Sequence, residues 1–372
     1  MRRILLFLCA WLAAGAAAGG SVVDLAGRSV AVPAKVERIL LGEGRLVAAL
    51  AILEKNPVAR VVGMMGEFER LDPAGYAQYQ AAFPAIERIQ RLGRSSGDSF
   101  SVEQAVALAP DLAIFSLEGH GPTPKDRDTV ARLEKAGVAV IFVDFRQEPL
   151  LNTPRSMAVL GAALGRRAEA EAYVAFYEAE MARVAERLPK AGNGGGAALP
   201  TVFIENRVGL SDECCPTMAN GMMGRFIDFA GGRNVARDLI PGSYGTLSLE
   251  YLLTHQPDVY IGTAIGAAAT AEKTPNRIVL GAGATADMAR ASLKRAVARR
   301  GIAELKAVKE GRAHAIWHHF YNSPLNVAAV QAIAKWLHPA RFADLDPEAT
   351  LRTLYARFQP VPLSGVYWVD LK

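Results

Sequence analysis

Cysteine is nearly absent: three residues in 372, two of them the neighbours Cys214 and Cys215. Cys9 falls in an apolar leader, so the rest of the chain has no ordinary loop-closing disulfide. The adjacent pair either forms a vicinal disulfide or stays as two thiols, and alone it makes a poor zinc site, which wants four ligands at wider spacing. Charge imbalance is also small. The formal charge of +5 becomes +3 (5 − 2) without Arg2 and Arg3, too mild to point to nucleic acid, and no Lys/Arg block stands out. The locally basic stretch 290–312 interleaves its cations with Leu293, Val297, Ile302 and Leu305 and reads as a solvated helix face. Past the leader, no apolar run is long enough to span a membrane.

The leader itself is informative. Arg2-Arg3 precede an apolar run over 4–14, and Ala16-Ala17-Ala18 supply small residues for cleavage. This is the pattern of a secretory signal over 1–19, cleaved near Ala18 or Gly19, and it predicts an exported protein. Cys9 sits mid-run after bulky Leu8, unlike a lipoprotein processing site, so no lipid anchor is expected.

A chain of this length exceeds one comfortable core, which favours two lobes. Apolar strands at 36–41, 58–64, 112–115 and 138–143 alternate with helical periodicity, and the alternation resumes with strands at 201–204, 259–261 and 313–317. That is an α/β fold: two Rossmann-like lobes with mostly parallel sheets. The division predicted is a lobe over 20–150, a connector over 151–190 and a lobe over 191–372. In the connector, Thr153 suits an N-cap with Pro154 at the first helical position, and Gly165 suits a C-cap. A second helix from Arg167 carries Tyr173, Phe176, Tyr177, Met181, Val184 and Leu188 at helical spacing, before Pro189 and a glycine-rich exit at 192–196. At about 1.5 Å per residue it would be about 33 Å long, enough to cross between lobes.

The two halves echo each other. SVEQAVALAPDLAI (101–114) matches SLEYLLTHQPDVYI (248–261). Each has a serine-capped helix with Glu in its first turn, a Pro-Asp stop and an apolar strand. The glutamates complement the helix dipoles and stay exposed.

These units, in order with DLAGRSVAVP…VERIL, AGGRNVA (230–236) and VKEGRAHAIW (308–317), make the chain resemble the periplasmic substrate-binding proteins of ABC importers for iron–siderophore complexes, haem and cobalamin. The resemblance covers essentially the whole mature chain. It implies two α/β lobes joined by one long rigid helix, a ligand held in the cleft between them, and little motion on binding. It also implies one surface glutamate per lobe that docks transiently on permease arginines; by motif position these are Glu103 and Glu250. A monomer with no enzymatic activity and no intrinsic cofactor is expected, with a ligand that carries iron(III) or another transition metal.

Ligands of α/β lobes bind beyond the C-terminal ends of the strands. That rule selects Glu43 and Arg45; Arg94 with Ser95, Ser96 and Asp98; Glu118 and His120; Asn206 and Arg207; Tyr244; Thr263; and Trp317 to Asn322. Arginines pair with anionic chelate oxygens, and aromatic rings stack on its arms. The favoured set is Arg94, Arg207, Tyr244, His318, His319 and Tyr321, with Trp317, His120 and Glu43 beside them. His120, His318 and His319 are the candidate metal donors where the chelate leaves a position open. In an extended segment His318 and His319 would point opposite ways, so at most one is expected in the cleft.

A ferric siderophore is the favoured cargo, with haem, cobalamin or a nickel chelate as alternatives. Two motifs suggest other classes. Gly93-Arg94-Ser95-Ser96-Gly97 matches a nucleophile elbow, the basis for a secreted serine hydrolase, but the elbow needs a strand directly before and a helix directly after, and 86–91 is polar. IVLGAGATA (278–286) resembles a dinucleotide loop, a cofactor scarce outside the cytoplasm.

Overall fold

The computed structural model describes residues 18–188, 198–211 and 214–372. The leader up to residue 17, Pro189 and the glycine-rich exit lie outside the described residues. An antiparallel hairpin, β1 (Ala18–Val23) and β2 (Ser29–Pro33), opens the chain. Its turn is held by Asp24, whose carboxylate accepts the N–H groups of Ala26 and Arg28.

The N-terminal lobe follows: β3 (Ile39–Leu41), α1 (Val47–Leu53), β4 (Val61–Met64), α2 (Glu67–Leu71), α3 (Pro73–Ala82), β5 (Gln90–Arg91), α4 (Val102–Ala107), β6 (Leu112–Ser116), α5 (Arg127–Lys135) and β7 (Ala139–Val143). The strands form a parallel sheet in the order β5-β4-β3-β6-β7. β3 and β6 are buried along their whole length, as a sheet covered on both faces requires.

The connector is a helical hairpin, α6 (Pro149–Leu164) and α7 (Arg167–Ala185). Gly165 ends α6 in the left-handed region at φ 69° as a C-cap glycine should. The start differs from expectation. Pro149, not Pro154, takes the first turn, and Pro154 lies inside the helix. A proline five residues in leaves the Leu150 carbonyl without its helical donor, which the half-buried setting of Leu150 tolerates. α7 stops at Ala185, so its 19 residues span about 28 Å at about 1.5 Å per residue. It packs on α1 of the first lobe and on the C-terminal lobe. The helices close on each other at Gly161, where a Cβ would lie 2.4 Å from that of Ala170.

The C-terminal lobe contains β8 (Thr201–Glu205), β9 (Pro216–Met218), α8 (Gly224–Phe229), β10 (Arg233–Asn234), β11 (Tyr244–Thr246), α9 (Leu249–Thr254), β12 (Val259–Ala264), α10 (Ala286–Val297), α11 (Lys306–Lys309), β13 (Ala313–Trp317), α12 (Asn326–Leu337), α13 (Pro347–Phe358) and β14 (Trp368–Asp370). Its parallel centre, β8-β12-β13 with β10 beside β8, is flanked by antiparallel β9, β11 and β14. Cys214 and Cys215 form a vicinal disulfide across a cis peptide bond just before β9.

The internal echo has a physical basis. Ser101 and Ser248 cap α4 and α9 by accepting the N–H groups of Gln104 and Tyr251. Each Pro-Asp carboxylate ties the end of its helix to the start of its lobe's first strand. Asp111 accepts the N–H groups of Glu37 and Arg38 at 2.7 and 2.8 Å, and Asp258 accepts from the N–H and hydroxyl of Thr201 at 2.9 and 2.8 Å. One continuous apolar core joins Ile39 and Ile114 of the first lobe, Tyr173 and Tyr177 of α7, and Val202 and Ile261 of the second. On one side the chain after α13 returns to the first lobe, where Gln359 accepts from the Tyr79 hydroxyl and Ser364 from the Gln78 amide. Among the described residues no helix is long and apolar enough to cross a membrane.

Candidate functional site

In each lobe the first strand has neighbours on both sides, which places a topological switch point beside β3 and beside β8. Loops leaving the C-terminal ends of the strands there meet at the lobe junction. The loop after β3 brings Glu43 and Arg45, both buried. Glu43 accepts the His120 N–H at 3.1 Å and the amide of Asn322 from the opposite lobe at 2.5 Å, with Arg45 at 3.5 Å. Only glycine fits at position 119, because a Cβ there would lie 1.7 Å from the Glu43 carboxylate. Burial would raise the Glu43 pKa, but Arg45, His120 and Arg146 outweigh it and hold the group below its ordinary value.

Arg45 reaches across the junction. Its Nη1 donates to Nδ1 of His319 at 2.8 Å and meets the Tyr321 hydroxyl at 3.5 Å. Tyr321 lies between two guanidinium groups, Arg45 at 5.8 Å and Arg146 at 5.4 Å from the ring centre. Burial opposes the Arg45 charge, yet Tyr321, Glu43 and Glu67 keep it above its ordinary pKa.

Beside this contact a cavity of about 390 Å³ opens between the lobes. Five cationic side chains line it, Arg45 and Arg70 from the first lobe and Arg207, Lys273 and Arg277 from the second, together with His318, His319 and Tyr321. No carboxylate is among these lining residues. Arg207 sits at φ 54°, its N–H bonded to the Thr263 hydroxyl at 2.7 Å.

The histidine pair departs from expectation. The strand ends at Trp317, and 318–322 turn as a tight helix rather than an extended segment, so strand alternation no longer applies. Both rings are buried and both line the cavity. His318 engages the Thr263 hydroxyl through Nδ1 at 3.1 Å. His319 spends both nitrogens within the protein, Nδ1 on Arg45 and Nε2 on the Leu71 carbonyl at 2.9 Å. Burial, reinforced by the cations around them, drives both pKa values well below the ordinary imidazole range. Among the described residues no three His, Cys, Asp or Glu side chains converge to hold a bare metal ion.

His120 donates from Nδ1 to the Ser95 carbonyl at 2.9 Å, and Trp317 lies edge-on to His319 at 5.2 Å. Arg94 is exposed after β5, and Tyr244 is exposed on the edge strand β11; neither lines the cavity. His120 meets the carbonyl of Ser95 and not its hydroxyl, and only the two-residue β5 precedes the Gly93–Gly97 turn, so no nucleophile elbow forms. Residues 278–285 make isolated bridges at Val279 and Gly281 rather than the strand a dinucleotide loop follows. Glu67, Arg70, Arg146, Lys273, Arg277 and Asn322 escaped the favoured set. The strand-end rule reaches them in principle, but nothing in their local sequence marks them. A larger open groove of about 990 Å³ runs along α6, α7 and α8, and holds none of the predicted site residues.

The model of the family described as "Periplasmic binding protein" matches residues 75–315, well over half of the chain. No curated protein sequence matches. Among solved structures, the chain is similar to the TroA-like periplasmic binding protein FepB from Veillonella parvula, with TM-score 0.82 and 25% identity over 95% of this chain and 99% of that one. It shares the fold of the molybdate-bound protein MolA from Haemophilus influenzae, with TM-score 0.68 and 16% identity over 93% and 99% of the two chains. It also shares the fold of Helicobacter pylori CeuE with Ni(II) bound, with TM-score 0.65 and 17% identity over 91% and 95%. Two α/β lobes that meet at their strand ends are what such proteins are built from, and this chain belongs to the periplasmic binding protein family.

Proposed function

We propose that this protein is exported by its leader, captures an anionic metal chelate, most simply a ferric siderophore, in the cavity between its lobes, and delivers it without chemistry to an ABC-type importer. One observation carries the choice of cargo: five cations and no carboxylate line that cavity. The structural neighbours were solved with different cargo, molybdate in one and nickel in another; the charge of this cavity favours an anion. Arg45 and Tyr321 supply fixed donors at its inner end, and the exposed Arg207 and Lys273 supply adaptable ones. His318 is the better placed of the histidine pair to meet an open metal position. Glu103 and Glu250, both exposed at equivalent helix starts, serve as the permease-docking pair.

The test is a fluorescence titration of the protein against chelates of graded charge: ferric citrate, a ferric tris-catecholate, a neutral ferric hydroxamate, haem and cobalamin. The anionic ferric chelates are expected to bind at micromolar concentration or below. Equal binding of the neutral hydroxamate, or no binding by any anion, would sink the proposal.

A further inference from the structure

Arg45 is the one cavity-lining cation that is buried; Arg70, Arg207 and Lys273 are exposed and Arg277 is half-buried. Two carboxyl groups face it. Glu43 is well served, with donors from His120 and Asn322 as well as Arg45. Glu67, at the start of α2, is not. Its Oε1 accepts the Arg45 N–H at 3.1 Å and lies 3.7 Å from Nε. Its Oε2 has no hydrogen-bond partner among the described residues, and neither does Nε of Arg45. An ionised carboxylate in that position would be fully buried, short of a donor, and second in line for a single cation. The neutral acid avoids most of that cost.

The surroundings agree. From the loop after β3, Arg45 and Glu43 face Glu67; behind Arg45 stand Asp72 at the other end of α2, and His319 and Tyr321 from the opposite lobe. Arg45 is the sole positive charge in contact with Glu67: Arg146 stands on the other side, against Glu43 and Tyr321, and both cleft histidines are held neutral. Burial pushes the Glu67 pKa up to about 7, against the opposing effects of the Arg45 charge and the backbone N–H groups of Gly44 and Arg45, with Glu43 adding to the rise.

We propose that Glu67 is a positioning residue that sets, through Arg45, the net charge at the inner end of the cavity. As a neutral acid it leaves the Glu43–Arg45–Glu67 group at zero charge (−1 + 1 + 0). As an anion it makes the group negative (−1 + 1 − 1) and repels the cargo. The protein therefore holds anions tightly on the acid side of neutrality and releases them more readily on the alkaline side. The inference rests on reading the cavity as the anion site.

The probes are sulfate, whose charge is fixed over the range, and ferric citrate, titrated at pH 6 and pH 8 into the wild type, Glu67→Gln and Asp72→Asn. The wild type is expected to lose about tenfold in affinity between the two, the most that uptake of one proton on binding gives over the roughly one pH unit above the Glu67 midpoint. Glu67→Gln should lose most of that slope, leaving only the small part due to Asp72, and Asp72→Asn should keep most of the wild-type slope. Infrared spectroscopy of the ligand-free Asp72→Asn protein, which lacks the other carboxyl raised by burial, should show a neutral buried carboxyl at pH 6 that fades by pH 8. Anion binding with an already ionised Glu67 at pH 6, or with the same pH slope in Glu67→Gln, overturns the inference alone. A neutral carboxyl with no anion binding at either pH instead defeats the anion-site reading, and the role of Glu67 falls with it.

Discussion

Arg45 of the first lobe donates from Nη1 to Nδ1 of His319 of the second at 2.8 Å, and His319 returns the contact through Nε2 to the Leu71 carbonyl. A guanidinium can only donate, so this one bond fixes the imidazole tautomer: Nδ1 accepts and Nε2 carries the proton. The lobes are thereby joined at their deepest point by a polar relay, as well as by the connector and the shared apolar core.

Replacement of Arg45 by Met removes the positive partner of Glu43, and both are buried. Breaking a buried pair from one side costs about 3–5 kcal/mol, because the remaining charge is left uncompensated. Arg45→Met is expected to lose about that much in urea unfolding and to bind ferric citrate much more weakly. A loss under about 1 kcal/mol would show that His120 and Asn322 alone suffice for Glu43.

Stability should depend on pH with a definite sign. Burial raises Glu67 from 4.5 to about 7 and Asp72 from 3.8 to about 6. Both carboxyls bind protons more strongly folded than unfolded, so their contribution makes the protein less stable as pH rises from about 4 to about 7. Melting temperatures of Glu67→Gln should exceed those of the wild type increasingly towards pH 7 and converge with them near pH 4. The reverse trend would mean that Glu67 is ionised in the folded state.

Much of this arrangement was legible in the chain. The alternation of apolar strands and helices carried the fold, and the repeated Pro-Asp marked the tie between each lobe's central helix and its first strand. Glu43, Arg207, His318, His319 and Tyr321 were reachable from the rule that ligands sit at strand ends. The remainder depended on tertiary contact. Strands of two or three residues, such as β5, β10 and β14, have too few side chains to show a period. Pro154 suits a helix start by its local chemistry, but Pro149 already holds that place. Glu67 looks like any first-turn glutamate; only its approach to the loop after β3, where it accepts the Arg45 N–H, makes it a buried acid. The adjacent histidines escape strand alternation because the strand stops one residue before them.

The connector makes a separate prediction. Gly161 lies against Ala170 with no room for a Cβ, and Gly165 holds a left-handed turn with open space around it. Gly165→Ala should therefore cost only the backbone term, roughly 1–2 kcal/mol. Gly161→Val must part α6 from α7, and overpacking of this kind costs about 1–3 kcal/mol or more. Gly161→Val is expected to be the more destabilised of the two in thermal unfolding. Equal melting temperatures would show that the hairpin gives way easily and is a poor strut.

The proposed docking pair is not symmetric. Glu103 pairs with Arg132 at 2.8 Å, while Glu250 has no ion pair among the described residues. The Arg132 hydrogen bond holds the Glu103 pKa below its ordinary value, so that carboxylate is charged at neutral pH. Glu103→Ala with Glu250→Ala should abolish uptake by the importer while ferric citrate affinity is unchanged. Since Arg132 competes for Glu103, Arg132→Ala should strengthen docking, and more so at low salt, where exposed charges are least screened. Loss of ligand affinity in the double variant would place these glutamates in the cleft instead.

Trp317 offers a direct report on the cavity. Its indole lies edge-on to His319 at 5.2 Å and is packed against Phe320 and Tyr367, so it is rigid and next to the relay. Trp336, stacked on His314 at 4.5 Å, lies elsewhere in the second lobe, beside Asp370. An anion that draws on Arg45 changes the charge felt by the His319 ring, and that change reaches Trp317 first. Sulfate binding should shift the emission of the wild type and of Trp336→Phe alike, and the shift should vanish in Trp317→Phe. If Trp317→Phe kept the full response, the anion would be binding away from the Arg45–His319 contact, and the cations of the interlobe cavity would not be its site.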